Sequence, residues 1–228
     1  LSGELRVAVL VVAKAPVPGL AKTRLAATVG NSAAADIAAA ALLDTLDAVA
    51  AAPVAARIVA MTGDLAAASR SAEISARLAD FTVLPQRGDD FADRLANAHA
   101  DASAAAGGLP VLQIGMDTPQ VSADLLAECA ASLSAADAVL GMASDGGWWI
   151  LGISDPGTAE CLRSVPMSTA ETGDVTLAAL RSTGVGVTLV AELADVDTVD
   201  DIAVVRRVCQ LDSRFRQVTV SVEVERAG

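Results

Sequence analysis

The stretch Leu5-Arg6-Val7-Ala8-Val9-Leu10-Val11-Val12-Ala13 runs straight into Lys14-Ala15-Pro16-Val17-Pro18-Gly19-Leu20-Ala21-Lys22-Thr23-Arg24. The first half is mostly apolar and rich in β-branched residues, as a strand buried on both faces requires. The second half breaks that pattern with two prolines and a glycine, and it carries three cations. A buried strand that opens into such a loop suits the start of an open α/β sheet, where ligands sit beyond the carboxyl ends of the strands. Backbone N–H groups and cations hold phosphates in that position. Lys14, Gly19, Lys22, Thr23 and Arg24 are therefore the candidate nucleotide-binding residues, and the plainer alternative is a solvated basic loop. Gly19-Leu20-Ala21-Lys22-Thr23 lacks the GxxxxGK[ST] spacing of a P-loop, and no GxGxxG fingerprint is present.

Outward from this point the chain alternates strand and helix. A helix is expected from about Ser32 to Ala52, ended near Pro53, then a strand at Arg57–Met61, a helix at Asp64–Leu78 and a strand at Phe81–Leu84. A helix at Phe91–Ala106 stops at Gly107-Gly108. A strand at Pro110–Gly115 follows, then a helix at Ser122–Leu133 with Ser122 as its N-cap. Asp137–Ala143 and Trp148–Ile153 read as strands joined by a turn. Helices near Thr158–Arg163 and Thr172–Ser182, a strand at Val185–Val190 and a last helix opening at Asp195–Asp201 complete the pattern. Such alternation with short connections predicts a mainly parallel sheet with helices on both faces. The length of 228 residues suits one large α/β domain, taken as residues 1–211. Residues 212–228 form a tail whose alternation from Gln217 to Glu225 suits a strand or a disordered end.

Composition narrows the chemistry. The net charge is −12, which opposes binding to nucleic acid or an anionic membrane and makes a local basic cluster informative. Cys129, Cys161 and Cys209 are far apart and odd in number, as in reduced structural thiols of a cytoplasmic protein. His99 is the only histidine, which excludes a histidine-rich metal site. Leu5–Ala13 is too short to span a bilayer, and Asp36, Asp44 and Asp47 make the alanine-rich helix amphipathic, so no targeting segment or membrane span is expected.

Three further constellations can carry chemistry. In Ile114-Gly115-Met116-Asp117-Thr118-Pro119 an apolar strand ends in a carboxylate, placed either to ligate Mg²⁺ or Mn²⁺ or to form a turn. Asp195, Asp197, Asp200 and Asp201 crowd together; some cap a helix, and a metal shared by Asp117 and Asp197 would relieve the rest. In Ser144-Asp145-Gly146-Gly147-Trp148-Trp149 both tryptophans of the chain are adjacent, so strand alternation turns one inward and one toward a pocket. Gly146, Gly147 and Trp148 are the candidate sugar or acceptor pocket, against the alternative of a tight turn with two core tryptophans. Arg94, near Gly88 and Asp93, either frames the site or belongs to a solvated helix start.

Taken in order, Lys14–Leu25, Gly115–Pro119, Asp145–Trp148 and Asp195–Thr198 resemble the DUF2064 group of GT-A-type glycosyltransferases. The resemblance implies a GT-A, Rossmann-like three-layer sandwich with a mainly parallel mixed sheet, a nucleotide at the first loop, a divalent metal (Mg²⁺ or Mn²⁺) at Asp117 and a second metal carboxylate at Asp197. The family often has tyrosine where Trp148 stands and proline where Val199 stands. The expected activity is metal-dependent glycosyl transfer from a nucleotide-diphospho-sugar, with Asp145 as the candidate catalytic residue. The same segments are similar to guanylyl- and cytidylyltransferases, so nucleotidyl transfer from an NTP to a small phosphorylated acceptor is the alternative. Nucleotide binding without turnover is a third reading. A homo-oligomer is a possible assembly.

Overall fold

The computed structural model describes residues 3–220 and 222. Its strands are β1 (Leu5–Lys14), β2 (Val54–Thr62), β3 (Thr82–Pro85), β4 (Val111–Ile114), β5 (Ala138–Met142), β6 (Trp148–Ile153) and β7 (Val187–Leu189). They form one sheet in the order β3-β2-β1-β4-β6-β5-β7. Only β6 runs against its neighbours; every other pairing is parallel. That reversal matters for the site. The first residue of β6, Trp148, lies at the same edge of the sheet as the carboxyl ends of β1, β4 and β5.

The helices are α1 (Thr23–Val29), α2 (Asn31–Ala51), α3 (Ser71–Leu78), α4 (Phe91–Ala105), α5 (Ala123–Leu133), α6 (Thr172–Ser182), α7 (Val199–Val208) and α8 (Arg214–Thr219). α2, α3 and α5 pack on one face of the sheet through Leu42, Leu46, Ile74, Leu126 and Leu133. α4, α6 and a 3₁₀ run at Pro156–Ser164 cover the other through Leu95, Ala98, Leu162 and Leu180. This is the expected three-layer sandwich. Small side chains make it tight: Ala34, Ala35, Ala38, Ala39, Ala40 and Ala41 of α2 are all buried, combining high helix propensity with close approach. A third cluster joins α1, α2, α7 and α8 through Leu25, Ile37, Ile202, Val205 and Phe215.

Local structure departs from the sequence pattern at definable points. Residues 23–29 form a helix of their own, separated from α2 by Gly30 at φ 86°. The run expected as one helix from Asp64 is a short 3₁₀ turn, capped by Asp64, and then α3; Arg70 at φ 52° breaks the two apart. The helix expected near Thr158–Arg163 is the 3₁₀ run. The tail is corrected more substantially. From Arg214 to Thr219 it is helical, not a strand: Phe215 and Thr219, four apart and both buried, share one helix face. Asp44 fixes its start, accepting the N–H groups of Arg214 at 3.0 Å and Phe215 at 2.8 Å. The rest of the expected strand, beyond Val220, falls almost wholly outside the described residues. Among the described residues, no helix is long and apolar enough to cross a membrane.

Candidate functional site

A cleft of about 740 Å³ opens at the carboxyl edge of β1 and β4, within the usual size range of small-molecule sites. Lys14, Lys22, Thr23, Arg24, Arg94, Asp117, Asp145, Gly147, Trp148 and Asp197 all border it. Residues chosen from distant parts of the sequence are thus brought together. Gly19 and Gly146, also expected at the site, are not among the residues that line the cleft. Gly19 stands in the loop at φ 80°, where an added Cβ would meet the Asn31 side chain at 3.6 Å. Gly146 serves closure instead: at φ 91°, an added Cβ would lie 2.0 Å from the Ala170 carbonyl oxygen.

The centre of the cleft is electrostatic. Val196 N–H donates to the Asp117 carbonyl at 3.1 Å, which pins the segment after β7 against the end of β4. Carboxylate oxygens of Asp117, Asp195 and Asp197 then lie within 4.8 Å of one another. Lys22 reaches into this group. Its ammonium donates to Asp117 Oδ2 at 2.9 Å and to Asp197 Oδ1 at 2.6 Å. The Lys22 backbone is in the left-handed region at φ 46°, just before α1, an uncommon state for a residue with a Cβ. Burial alone would favour its neutral form, but the two carboxylates outweigh burial and hold the ammonium strongly protonated. Asp197 is held below its usual value despite its own burial, because Lys22 and Arg24 face it. Asp195 has no such partner. Burial, followed by the repulsion of Asp117, Asp145 and Asp197, pushes it up to about 6. Oxygen ligands so close together suit a hard divalent cation. Asp195 therefore joins the expected pair of Asp117 and Asp197 as a candidate ligand. The sequence presents it in the same acidic run, but only the fold separates it from Asp200 and Asp201. Asp201 instead accepts the Thr198 N–H at 2.6 Å as part of a capping box on α7.

The remaining cations are arranged differently. Arg24 is 73% exposed and only 3.6 Å from Asp197, so its guanidinium remains open to a ligand. Lys14 is used within the loop, donating to the Leu20 carbonyl at 2.8 Å. Among the described residues, Arg94 makes only a long contact, 3.4 Å to the Gly88 carbonyl.

At the β6 end of the cleft, still near enough to Asp195 to repel it, Asp145 Oδ1 accepts the Gly147 N–H at 2.7 Å, forming the tight turn before β6. The tryptophans part as strand alternation requires. Trp149 is 3% exposed, packs among the α2 and α5 core and donates to the Ala191 carbonyl at 2.8 Å. Trp148 is half-buried on the opposite face beside Met142 and Met167. The segment Met167–Ala170, with Ser168 at φ 61°, covers this end. Sequence reading missed it, together with Gln113 and Thr118, which also line the cleft. Gln113 is marked only by being a lone amide inside an apolar strand.

The family model "Uncharacterized protein conserved in bacteria (DUF2064)" matches residues 45–169. Among solved structures, the chain is similar to a protein of Desulfovibrio desulfuricans G20 provisionally described as a nucleotide-diphospho-sugar transferase. The TM-score is 0.79 at 27% identity, covering 93% of this chain and 90% of that one. A cytidylyltransferase of Leptospira borgpetersenii shares the fold with a TM-score of 0.55 at 14% identity, over 86% of this chain and 83% of that one. So does Rv0371c of Mycobacterium tuberculosis, solved in complex with manganese, with a TM-score of 0.54 at 18% identity over 88% and 97%. No curated protein matches the chain in sequence. The family match spans more than half of the chain, along the ordered β4, Asp117 and Asp145–Trp148 segments, and the chain belongs to the DUF2064 family.

Proposed function

We propose that this chain is a metal-dependent transferase acting on nucleotide-diphospho-sugars. The observation that carries the reading is the Lys22 ammonium set between Asp117 and Asp197, with Asp195 beside them, in a cleft at the carboxyl edge of the sheet, where open α/β sheets bind their ligands. Asp117, Asp195 and Asp197 would hold the divalent cation, which when bound supplies neutralisation of charge on the departing diphosphate. Lys22 and Arg24 come from the adjoining loop and first turn, and both can donate to phosphate oxygens. In transfer, the bond from the anomeric carbon to the diphosphate oxygen breaks, an acceptor oxygen bonds to that carbon, and the acceptor proton leaves. Asp145 borders the same cleft near enough to Asp195 to repel it, exposed, with one oxygen committed to the turn and the other open to orient the acceptor or take that proton. The likeness to the Desulfovibrio protein supports the sugar-nucleotide donor.

Nucleotidyl transfer is the second reading, favoured by the fold shared with the cytidylyltransferase. One experiment separates the two. The protein is incubated with Mn²⁺ and either nucleotide-sugars plus hydroxyl-bearing acceptors or NTPs plus small phosphorylated acceptors, and product is followed as nucleoside diphosphate or pyrophosphate. Metal-dependent release of nucleoside diphosphate is the expected result. Pyrophosphate release from an NTP would replace the proposal with the second reading. Thermal stabilisation by nucleotide that does not depend on metal, with no product in either series, would remove both.

A further inference from the structure

Interior polar atoms without partners are uncommon in folded proteins and call for a reason. Among the described residues, such atoms include both ring nitrogens of His99, Gln120 Oε1 and, on residues that line the cleft, both amide atoms of Gln113, Thr118 Oγ1 and Trp148 Nε1. Gln113 and Thr118 are each 1% exposed. β4 alternation explains where Gln113 sits. Leu112 and Ile114 join the α2 and α5 core, while Val111 and Gln113 face α4, with Gln113 flanked by Leu10 of β1 and Leu151 of β6. His99 of α4 is fully buried on the same side. Burial pushes it down to about 4, so it is neutral. The Gln113 amide and the Ile153 carbonyl lie near its ring, yet neither makes a well-formed hydrogen bond to it.

The chemistry of this group is specific. A carboxamide, a hydroxyl and an indole N–H offer donors and acceptors without charge, beside the half-buried ring of Trp148 and the side chain of Met167. The cations of the cleft come from the loop after β1 and from Arg94. A phosphate finds its partners there; a neutral, hydroxyl-bearing ring finds them here, since such a ring bonds at its edge and packs at its face.

We infer that Gln113, Thr118 and Trp148 form an inner chamber of the cleft that reads the hydroxyl groups of an uncharged sugar ring, with Gln113 as its main specificity-determining residue. The inference rests on the proposed nucleotide-sugar reading and assigns which side chains read the sugar. It also accounts for a lone amide in an apolar strand: each unpartnered atom lowers the stability of the free protein and gains a partner on binding.

The test compares UDP with UDP-glucose and UDP-N-acetylglucosamine, and GDP with GDP-mannose, by calorimetry with Mn²⁺. Wild type should bind at least one nucleotide-sugar more tightly than its nucleoside diphosphate. Gln113→Leu, Thr118→Val and Trp148→Phe should each reduce that advantage about tenfold, the scale of one lost hydrogen bond. Nucleoside diphosphate binding should be unchanged, and Gln113→Leu should not lower the Tm. Thr118→Val and Trp148→Phe, which keep volume or ring, carry the test if Gln113→Leu misfolds. Equal losses on the nucleoside diphosphates would put the nucleoside in the chamber and overturn the inference. A sugar advantage that survives the substitutions, or is absent from every pair while the diphosphates bind, would also overturn it with the nucleotide site intact. No nucleotide binding at all would remove the functional reading and this inference with it.

Discussion

Lys22→Met removes the ammonium that stands among the three carboxylates while keeping most of its aliphatic volume. Two charge-assisted hydrogen bonds are lost, at 2.9 and 2.6 Å, each of about 1.5–3 kcal/mol. Asp117 and Asp197 keep side-chain exposures of 32% and 37%, so water recovers part of this loss and the net effect is about 2–3 kcal/mol. For a chain of this size, that lowers the Tm of the metal-free protein by roughly 5–10 °C. The same substitution has the opposite effect on metal. In wild type a cation must displace Lys22 before Asp117 and Asp197 can both ligate it; in the variant that step is absent. At 1.4 kcal/mol per decade, Mn²⁺ affinity without nucleotide should rise about 30- to 150-fold. Calorimetry or Mn²⁺ spin resonance measures the affinity, and the Tm deficit should close when Mn²⁺ is added. If Lys22→Met binds Mn²⁺ no more tightly than wild type, the ammonium does not occupy the cation's place and this reasoning fails.

Arg24→Ala should weaken nucleotide binding by about 1–3 kcal/mol in calorimetry and change the Tm little, since its guanidinium is mostly solvated and 3.6 Å from Asp197; full affinity in the variant would take Arg24 out of the site. Gly146→Ala forces a Cβ to within 2.0 Å of the Ala170 carbonyl at φ 91° and should destabilise by more than about 2 kcal/mol in denaturant titration; a neutral result would show that the 167–170 segment is free to lift. Asp195 titrates near 6 in the folded metal-free protein, above its unfolded value of about 3.9. Its contribution is therefore fully present below about pH 4 and is lost as pH rises through about 6. Asp195→Asn should be the more stable protein at pH 7 without metal, with a flatter Tm between pH 4 and 7, and an unaltered slope would assign the titration to another group.

The fold was legible because its signals are local and repeated. Val7–Ala13 and Val111–Ile114 can hardly be anything but strands buried on two faces, and Ser122 caps α5 as a serine before an apolar run should. The failures are places where tertiary contacts overrule local pattern. The alternation at the tail gave way to a helix once Asp44 offered its carboxylate to two successive N–H groups. Arg70 adopted a left-handed backbone, and its Nε donates to Asp36 at 2.7 Å. At the site, the charged residues were readable because charge is scarce in an apolar strand or loop. Gln113 and Thr118 were not. Their meaning lies in which face of β4 is covered and where the cleft floor falls, and periodicity does not report either.

The separation of the partners in sequence bears on how the site forms. Lys22 is 95 residues from Asp117 and 175 from Asp197. The three-carboxylate group with its ammonium is complete only once β1, β4 and the segment after β7 are in register. Three carboxylates drawn together without a cation would oppose that last step. Lys22 removes the opposition in the metal-free chain, because it arrives with the first loop and needs no ligand. Its left-handed backbone holds a state that a free lysine rarely visits, so the contacts of α1 with α2 and α7, through Leu25 and Ile202, must hold it there. On the proposed function, the ammonium is both a counter-ion for folding and a group that must yield when a cation and phosphates arrive, since phosphate oxygens are the partners that can receive it. Nucleotide and metal binding should therefore favour one another, each lowering the free-energy cost of moving Lys22 for the other.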